Sequence, residues 1–260
     1  MSRLSEFLKK NSVHASAELP LVHTTQAQSL RDIMASNSLT PTECPVFFGE
    51  KLIYLFYGKP SYKVSGTTQK NWLMPICFLI KMNSLHSIKR IYPFDSGAFS
   101  AGRHPDYIKT FNIGEFEVLG TDDPSKIVGA FFKTIKDYFR LTPMEESQFR
   151  EEHSLGIMDH EMLALRDLAG DSSLNGIDDR RFCVEIQTED EIFLTPNNVQ
   201  AVILPYDYFE DPLVVQFVET VLEATPLPYD SFSLSSAEHT AIVYSKVLEF
   251  LRLEGGLEDV

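Results

Sequence analysis

One stretch of the chain, from Leu19 to Lys63, constrains the fold more than any other. It begins with a short apolar run that ends on His23, continues with a helical pattern, and closes with an aromatic run that leads into a turn at residues 58 to 60. Two short apolar runs joined by a helix predict a sheet packed against that helix. Because polar groups end one strand and aromatic rings end the next, the stretch also predicts the rim of a pocket.

The helical pattern in this stretch starts with residues that commonly cap helices. Thr25 and Gln28 are spaced as in a capping box, in which the Thr side chain accepts from an amide of the first turn and the Gln side chain reaches back. Leu30, Ile33 and Met34 then recur at helical spacing. The sequence therefore predicts a helix that begins directly after the first strand and faces the core with these three residues.

The rest of the chain alternates further strand-like and helical segments. Strands are predicted at residues 52–57, 75–81, 181–188, 192–194 and 199–204. Helices are predicted at residues 3–10, 124–139, 145–169 with a break near 156, 212–224 and 235–253. Residues 90–108 mix Pro, Gly, Ser and aromatic residues, so we expect a long loop there. Strands that flank a helical segment indicate an α+β organisation.

The charge of the chain is divided unevenly between its two parts. The first 110 residues carry 13 Lys and Arg against 7 Asp and Glu, whereas the remaining 150 carry 10 against 30. A basic part suits a pyrophosphate or a nucleic-acid backbone, and an acidic part suits a basic partner or simply a solvated surface. The charge distribution alone does not decide between a surface that binds a charged partner and a solvated surface that binds none.

The three cysteines and the apolar runs bear on where the protein works. Cys44, Cys77 and Cys183 are far apart and form no CxxC pair, as expected for reduced thiols of a cytoplasmic protein. No apolar run approaches the roughly 20 residues that span a bilayer, and the first residues lack the apolar segment of a signal peptide. We therefore expect a cytoplasmic protein that does not enter a membrane.

Three blocks of the sequence resemble the ADP-ribosyltransferase fold, and most closely the DNA-modifying DarT-type toxins. The opening strand and helix of that fold are similar to LVHTTQAQSLRDIMASNSL, and its aromatic-Arg-Pro-Tyr block is similar to LIYLFYGKPSY, with Lys59 in place of the usual Arg. The late strand that supplies the catalytic Glu resembles RRFCVEIQTEDEIFL, followed by VQAVILP. Glu185 is the best match to that Glu, although Arg181 precedes it by four residues rather than three. The blocks occur in the family order and cover about a third of the chain.

The resemblance implies a specific α+β architecture, a split β-sheet core with a helical insert and a C-terminal helix. Residues 1–205 would form the ADP-ribosyltransferase-like domain, with an acidic helical insert at about 121–175. Residues 206–260 would form a C-terminal helical extension packed on the same domain.

The resemblance also implies that NAD is the co-substrate and that no metal is required. Breaking the nicotinamide glycosidic bond builds positive charge on the ribose, which a carboxylate can stabilise. The catalytic residues would be Glu185, His23 and Lys59, with Lys59 offsetting the pyrophosphate charge. The residues expected to contact NAD are His23, Thr24, Thr25, Tyr54, Phe56, Tyr57, Tyr62 and Gln187.

Several of these residues also have ordinary structural interpretations. A His after an apolar strand is often only a polar strand end, and Tyr or Phe in a strand often serves core packing. Alternation in a half-buried strand could place Glu185 on the solvent face. His153 and His160 lie seven residues apart, but Gly156 interrupts the helix between them, so we do not expect a metal site there.

The acceptor of ADP-ribose follows less directly from the sequence. The DarT-like block and the basic first part favour a nucleic-acid base, either DNA or RNA, whereas the acidic remainder favours a protein acceptor. Enzymes of this type often act as toxins or antiphage effectors restrained by an antitoxin or inhibitor protein, which the acidic insert would contact. An NAD glycohydrolase, or a nucleotide-binding module that has lost its chemistry, are the other interpretations.

Overall fold

The computed structural model describes residues 1–11, 13–15, 17–61, 70–119, 123–174, 179–232 and 234–254. The helices within these ranges are α1 Arg3–Lys10, α2 Leu30–Ser36, α3 Ser96–Ser100, α4 Asp106–Lys109, α5 Ser125–Phe131, α6 Ile135–Arg140, α7 Glu146–Glu152, α8 His160–Gly170, α9 Pro212–Val215 and α10 Ser236–Leu253. The strands are β1 Leu21–Gln26, β2 Ser38–Leu39, β3 Thr42–Glu43, β4 Lys51–Tyr57, β5 Pro75–Ile80, β6 Arg90–Tyr92, β7 Val118–Leu119, β8 Glu185–Thr188, β9 Ile192–Phe193, β10 Val199–Pro205 and β11 Thr225–Tyr229.

Most of the strands form one open sheet in the order β11-β10-β5-β1-β4-β8-β6-β7, with β3 paired to β4 at its side. Within this order β10 and β11 run parallel, and the other neighbouring strands are antiparallel. A separate small sheet joins β2 and β9. The α+β class expected from the sequence is confirmed, since the chain is a mixed α+β structure with a mostly antiparallel sheet.

The central strands are apolar because both of their faces are covered. Ile76 to Ile80 of β5 have no exposed surface, and Ala201 to Leu204 of β10 have none either. Continuous apolar runs of this kind are typical of strands that are buried on both sides. The helix α10 packs over β5 and β11, so the last part of the chain shares the core of the first.

The order of three strands places the three sequence blocks side by side. β4 lies between β1 and β8 and pairs antiparallel with both. Val22 stands opposite Phe56, and Phe56 stands opposite Glu185. The polar strand end at His23 and the late strand at Glu185 are therefore separated by the width of a single strand, about 5 Å on each side.

Two helix starts differ from the sequence-based expectation. β1 continues to Gln26, because Thr25 and Gln26 pair with Ile76 and Pro75 of β5. A short 3-10 turn follows, and α2 begins only at Leu30 without a side-chain cap. The expected capping box of Thr25 and Gln28 is therefore wrong, because Thr25 belongs to the strand and the side chain of Gln28 donates to the side chain of Gln26 at 2.9 Å.

The helix expected at 124–139 is two helices. Asp123 does accept a bond from the amide of Ser125, but α5 ends at Phe131 and α6 restarts at Ile135, with Thr134 as its N-cap. The break expected near residue 156 is confirmed, since α7 and α8 are separate. The last helix, α10, begins with a capping box formed by Ser235 and Glu238.

Two other segments carry more structure than the sequence suggested. Residues 90–108, expected to form a loop, contain β6, α3 and most of α4. Between the helices expected at 212–224 and 235–253 lies β11, which pairs with β10 at the edge of the sheet, where its prolines are tolerated. Four helices, α5 to α8, lie between β7 and β8, where the sequence predicted an insert.

Within the described ranges, no helix combines the length and the apolar character that crossing a membrane requires.

Candidate functional site

A cavity of about 700 Å³ opens beside β1, β4 and β8. Its walls come from β1, from residues 29–46 with α2 and β2, from β4, from residues 95–97 and from Glu185. The volume lies within the range of roughly 300–1,000 Å³ that is usual for small-molecule and cofactor sites. The cavity is therefore large enough to hold a ligand of nucleotide size.

Hydrogen bonds hold Glu185 in one orientation in the wall of this cavity. The side chain is 1% exposed, and its carboxylate accepts from the amide of Ser96 at 3.0 Å and from the Ser96 hydroxyl at 2.7 Å. The side-chain amide of Gln187 also donates to it at 2.5 Å. Three donors that converge on one carboxylate set its orientation before any ligand binds.

The surroundings of Glu185 change how readily it loses its proton. Burial, and after it the nearby charge of Asp95, raise the pKa of Glu185 to about 8. The hydrogen bonds from Gln187 and Ser96 act in the opposite direction, since they stabilise the charged form. A buried acid of raised pKa in a cavity is a frequent property of functional sites.

Asp95 lines the same cavity between β6 and α3. Its carboxylate accepts from the hydroxyl of Ser61 at 2.8 Å and from the amide of Ala98 at 2.8 Å. The second bond makes Asp95 the N-cap of α3. Since Ser96 is the next residue along the chain and bonds to Glu185, the start of α3 holds two of the three carboxyl groups that line the cavity, those of Asp95 and Glu185.

His23 lines the cavity from the strand on the other side of β4. The ring Nδ1 lies 3.0 Å from the carbonyl oxygen of Tyr54. Because a carbonyl only accepts, Nδ1 carries a hydrogen and donates it, so in the neutral ring Nε2 is the acceptor. Thr24 and Thr25 follow His23 in the same strand and also line the cavity.

Two aromatic residues of β4 contribute to the cavity wall. Phe56 is 8% exposed and lies between the strands that carry His23 and Glu185. The hydroxyl of Tyr54 lies 2.7 Å from the sulfur of Cys44, and burial raises the pKa of Tyr54 well above its ordinary value. Tyr54 is therefore a neutral phenol at every physiological pH.

One residue expected to be catalytic, Lys59, and two residues expected to contact NAD, Tyr57 and Gln187, do not line the cavity. Lys59 is fully buried, where its ammonium donates to the carbonyl oxygen of Tyr138 at 3.1 Å and lies 4.3 Å from the centre of that ring. Tyr57 is buried and accepts from the amide of Leu19. Gln187 is buried and acts on the cavity through Glu185.

The expected roles of Lys59 and Tyr57 are corrected by these positions. Gly58 adopts a φ of +77°, and a Cβ there would come within 2.5 Å of the side chain of Leu19, so the turn after β4 is tightly packed. This turn directs Lys59 toward Tyr138, away from any pyrophosphate in the cavity. Tyr62, also expected to contact NAD, lies outside the described residues.

Several residues that line the cavity were not among the site residues predicted from the sequence. These residues are Ser29, Asp32, Ser36, Ser38, Ser61, Asp95 and Gly97. A signal for Asp95 was present, because Asp is a preferred N-cap residue, but the surrounding Pro and aromatic residues suggested a loop. Among the described lining residues the charged side chains are Asp32, Asp95 and Glu185, and none is Lys or Arg.

The described residues include no group of three or more His, Cys, Asp or Glu side chains arranged to hold a metal ion. His153 is instead buried against Phe149 and Phe7, with its Nε2 2.9 Å from the carbonyl oxygen of Ala130.

Comparison of the chain with protein-family models, with curated proteins and with solved structures finds no match in any of the three.

Proposed function

We propose that this chain is an NAD-dependent mono-ADP-ribosyltransferase with an ADP-ribosyltransferase-like split β-sheet core. It would transfer ADP-ribose from NAD to a macromolecule and release nicotinamide. One observation carries the proposal: His23 on β1 and Glu185 on β8 line a single cavity of about 700 Å³. The three sequence blocks that suggested the family meet at this cavity through the pairing of β1, β4 and β8.

Glu185 would stabilise the nicotinamide ribose during bond cleavage. Loss of nicotinamide leaves positive charge on C1′ and the ring oxygen, and a carboxylate that holds the 2′-hydroxyl offsets that charge. The carboxylate must be ionised for this role. The positive nicotinamide ring of NAD favours ionisation, because an opposite charge nearby lowers the pKa of a carboxyl group.

The other wall would hold the rest of the dinucleotide. His23 would bond the adenosine ribose, and Phe56 or Tyr54 would stack on the nicotinamide and keep water from the cation. Because the described wall carries no Lys or Arg, the pyrophosphate would be met by hydroxyl groups such as those of Thr24 and Thr25. Neutral donors bind phosphate less strongly than charged ones, so we expect modest affinity for NAD.

For the acceptor we propose a nucleic-acid base, as the DarT-like block implies, with a protein acceptor and NAD hydrolysis as alternatives. The excess of basic residues in the first 110 positions, which contribute most of the cavity wall, supports a nucleic acid. In the cell the enzyme would act in the cytoplasm as a toxin or antiphage effector, held in check by an antitoxin or inhibitor protein.

A second candidate function, a nucleotide-binding module without catalysis, is favoured by one observation. With the pKa of Glu185 raised to about 8, most of the empty protein carries an uncharged Glu185 at neutral pH. A neutral carboxyl group can still bind a ribose hydroxyl, but it does not stabilise a cation.

Nicotinamide release from labelled NAD separates the two functions. The protein would be compared with Glu185→Gln, which removes the charge and keeps the shape, and with Glu249→Gln, a matched change on the exposed side of α10. We expect release that Glu185→Gln abolishes and Glu249→Gln leaves unchanged. Binding of NAD without release would support the module, and release that is independent of Glu185 would contradict the catalytic role of Glu185. Digestion of the labelled lysate products with nuclease or with protease would identify the acceptor class.

A further inference from the structure

The cavity contains a second carboxylate, Asp95, that the three sequence blocks do not include. It belongs to the turn between β6 and α3, 90 positions before Glu185 in the chain. Both carboxylates nevertheless line the same cavity. The amide and the hydroxyl of Ser96 both bond to Glu185, so the turn that carries Asp95 is fastened directly to Glu185.

The two carboxylates are held in different ways. Glu185 is 1% exposed and receives three hydrogen bonds, which keep it fixed within the protein. Asp95 is partly exposed and accepts one bond at each oxygen, from Ser61 and from the amide of Ala98. A carboxylate has about four lone-pair sites. Asp95 therefore keeps the capacity to accept a further hydrogen from a group inside the cavity.

Pairs of carboxyl groups in different environments commonly divide catalytic work. One remains next to the developing cation, and the other exchanges a proton with the attacking group. Here the buried member suits the ribose, because it is fixed and shielded from water. The partly exposed member suits the acceptor, because a macromolecule can reach it and its proton can pass to solvent.

We propose that Asp95 is a second catalytic carboxylate, which accepts the proton of the attacking group while Glu185 holds the nicotinamide ribose. This inference rests on the proposed function. In the step, the bond between C1′ and the nicotinamide nitrogen breaks, and nicotinamide leaves as a neutral molecule with the electron pair. A lone pair of the acceptor forms the new bond to C1′. The hydrogen that the acceptor loses goes as a proton to the Asp95 carboxylate and then to solvent.

A purely structural role for Asp95 makes different predictions. As the N-cap of α3 it needs only an oxygen that accepts from Ala98. Asn caps helices about as well as Asp, and the Ser61 hydroxyl can turn to accept from an amide. Asp95→Asn should therefore keep the fold and the cap, while it removes the ability to take a proton and the negative charge that raises the pKa of Glu185.

Two reactions of labelled NAD separate proton transfer from bond cleavage, and neither needs a known acceptor. Exchange of free labelled nicotinamide into NAD breaks and remakes the glycosidic bond without moving a proton. Formation of ADP-ribose uses water, which must lose a proton. We expect Asp95→Asn to reduce ADP-ribose formation, and label transfer to lysate macromolecules, by about 100-fold or more. At pH 9, above the pKa of Glu185, this residue is ionised with or without the negative charge of Asp95, and nicotinamide exchange should change by less than about threefold.

Azide provides the complementary measurement, because it is an anionic nucleophile with no proton to lose. Added azide should restore product formation, as ADP-ribosyl azide, in Asp95→Asn but not in Glu185→Gln. Asp106→Asn, on the exposed neighbouring helix α4, is the matched control and should behave as the parent protein. If a folded Asp95→Asn protein loses exchange and hydrolysis together, the proposed role of Asp95 is wrong. Hydrolysis by this variant at the parent rate would also overturn that role. Neither result would contradict the proposed function. Absence of both reactions in the parent protein would overturn the proposed function as well.

Discussion

Replacing Glu185 by Gln should change how the stability of the protein depends on pH. In the folded protein the pKa of Glu185 is raised from its ordinary value of 4.5 to about 8, chiefly by burial. Between these values the folded state binds more protons than the unfolded state, so the free energy of unfolding falls as the pH rises. Gln cannot ionise, so the free energy of unfolding of the variant does not fall for this reason.

The size of the effect follows from the two pKa values. At about 1.4 kcal/mol per pH unit, the interval from 4.5 to about 8 corresponds to on the order of 5 kcal/mol. No large reduction for solvent screening applies, because Glu185 is 1% exposed. Domains are typically stable by about 5–15 kcal/mol, so the effect is a large part of the total.

Urea unfolding at pH 5, 6, 7, 8 and 9 would measure this difference. The free energy of unfolding of Glu185→Gln, minus that of the parent protein, should increase at each step up to about pH 8. Above that pH the difference should be constant. Glu249→Gln, an exposed control, should differ from the parent by a constant amount. A difference between Glu185→Gln and the parent that does not vary with pH would refute the account of the Glu185 environment.

Three further predictions concern the cavity and its surroundings. Lys59→Met should leave NAD affinity unchanged in a calorimetric titration while lowering stability by roughly 1–3 kcal/mol, since Tyr138 loses a buried donor; a tenfold loss of affinity would contradict the position of Lys59. His23→Ala should weaken NAD binding about tenfold, the value of one hydrogen bond, and an unchanged Kd would remove His23 from the site. The kcat/KM for nicotinamide release should rise with pH up to about 8 and then level off, because Glu185 must lose its proton; a rate that falls over that interval would show that the protonated form is active.

The sequence predicted the elements around the cavity better than their exact limits. The apolar runs of β4, β5 and β10 are visible because central strands are buried on both faces. The start of α2 was not predictable, because the pairing of Thr25 with β5 extends β1 beyond the local capping pattern. Long-range pairing of this kind overrides a signal that involves only neighbouring residues.

The candidate site was visible in part for the same reason. His23, Tyr54 and Phe56 lie in strands with clear patterns, and the structure brings them to one cavity with Glu185. Asp95 could not be assigned from the sequence, because its relation to Glu185 depends on how β6 pairs with β8. Lys59 was misassigned because the turn at Gly58 decides its direction, and that direction is a property of the packing.

A crystal structure of Glu185→Gln with NAD would test the central claim most directly, since this variant should bind the dinucleotide without cleaving it. We predict one NAD molecule in the cavity, with the 2′-hydroxyl of the nicotinamide ribose about 3 Å from the side chain at position 185. The adenosine ribose should lie beside His23. NAD bound outside this cavity, or no NAD at millimolar concentration, would contradict the claim.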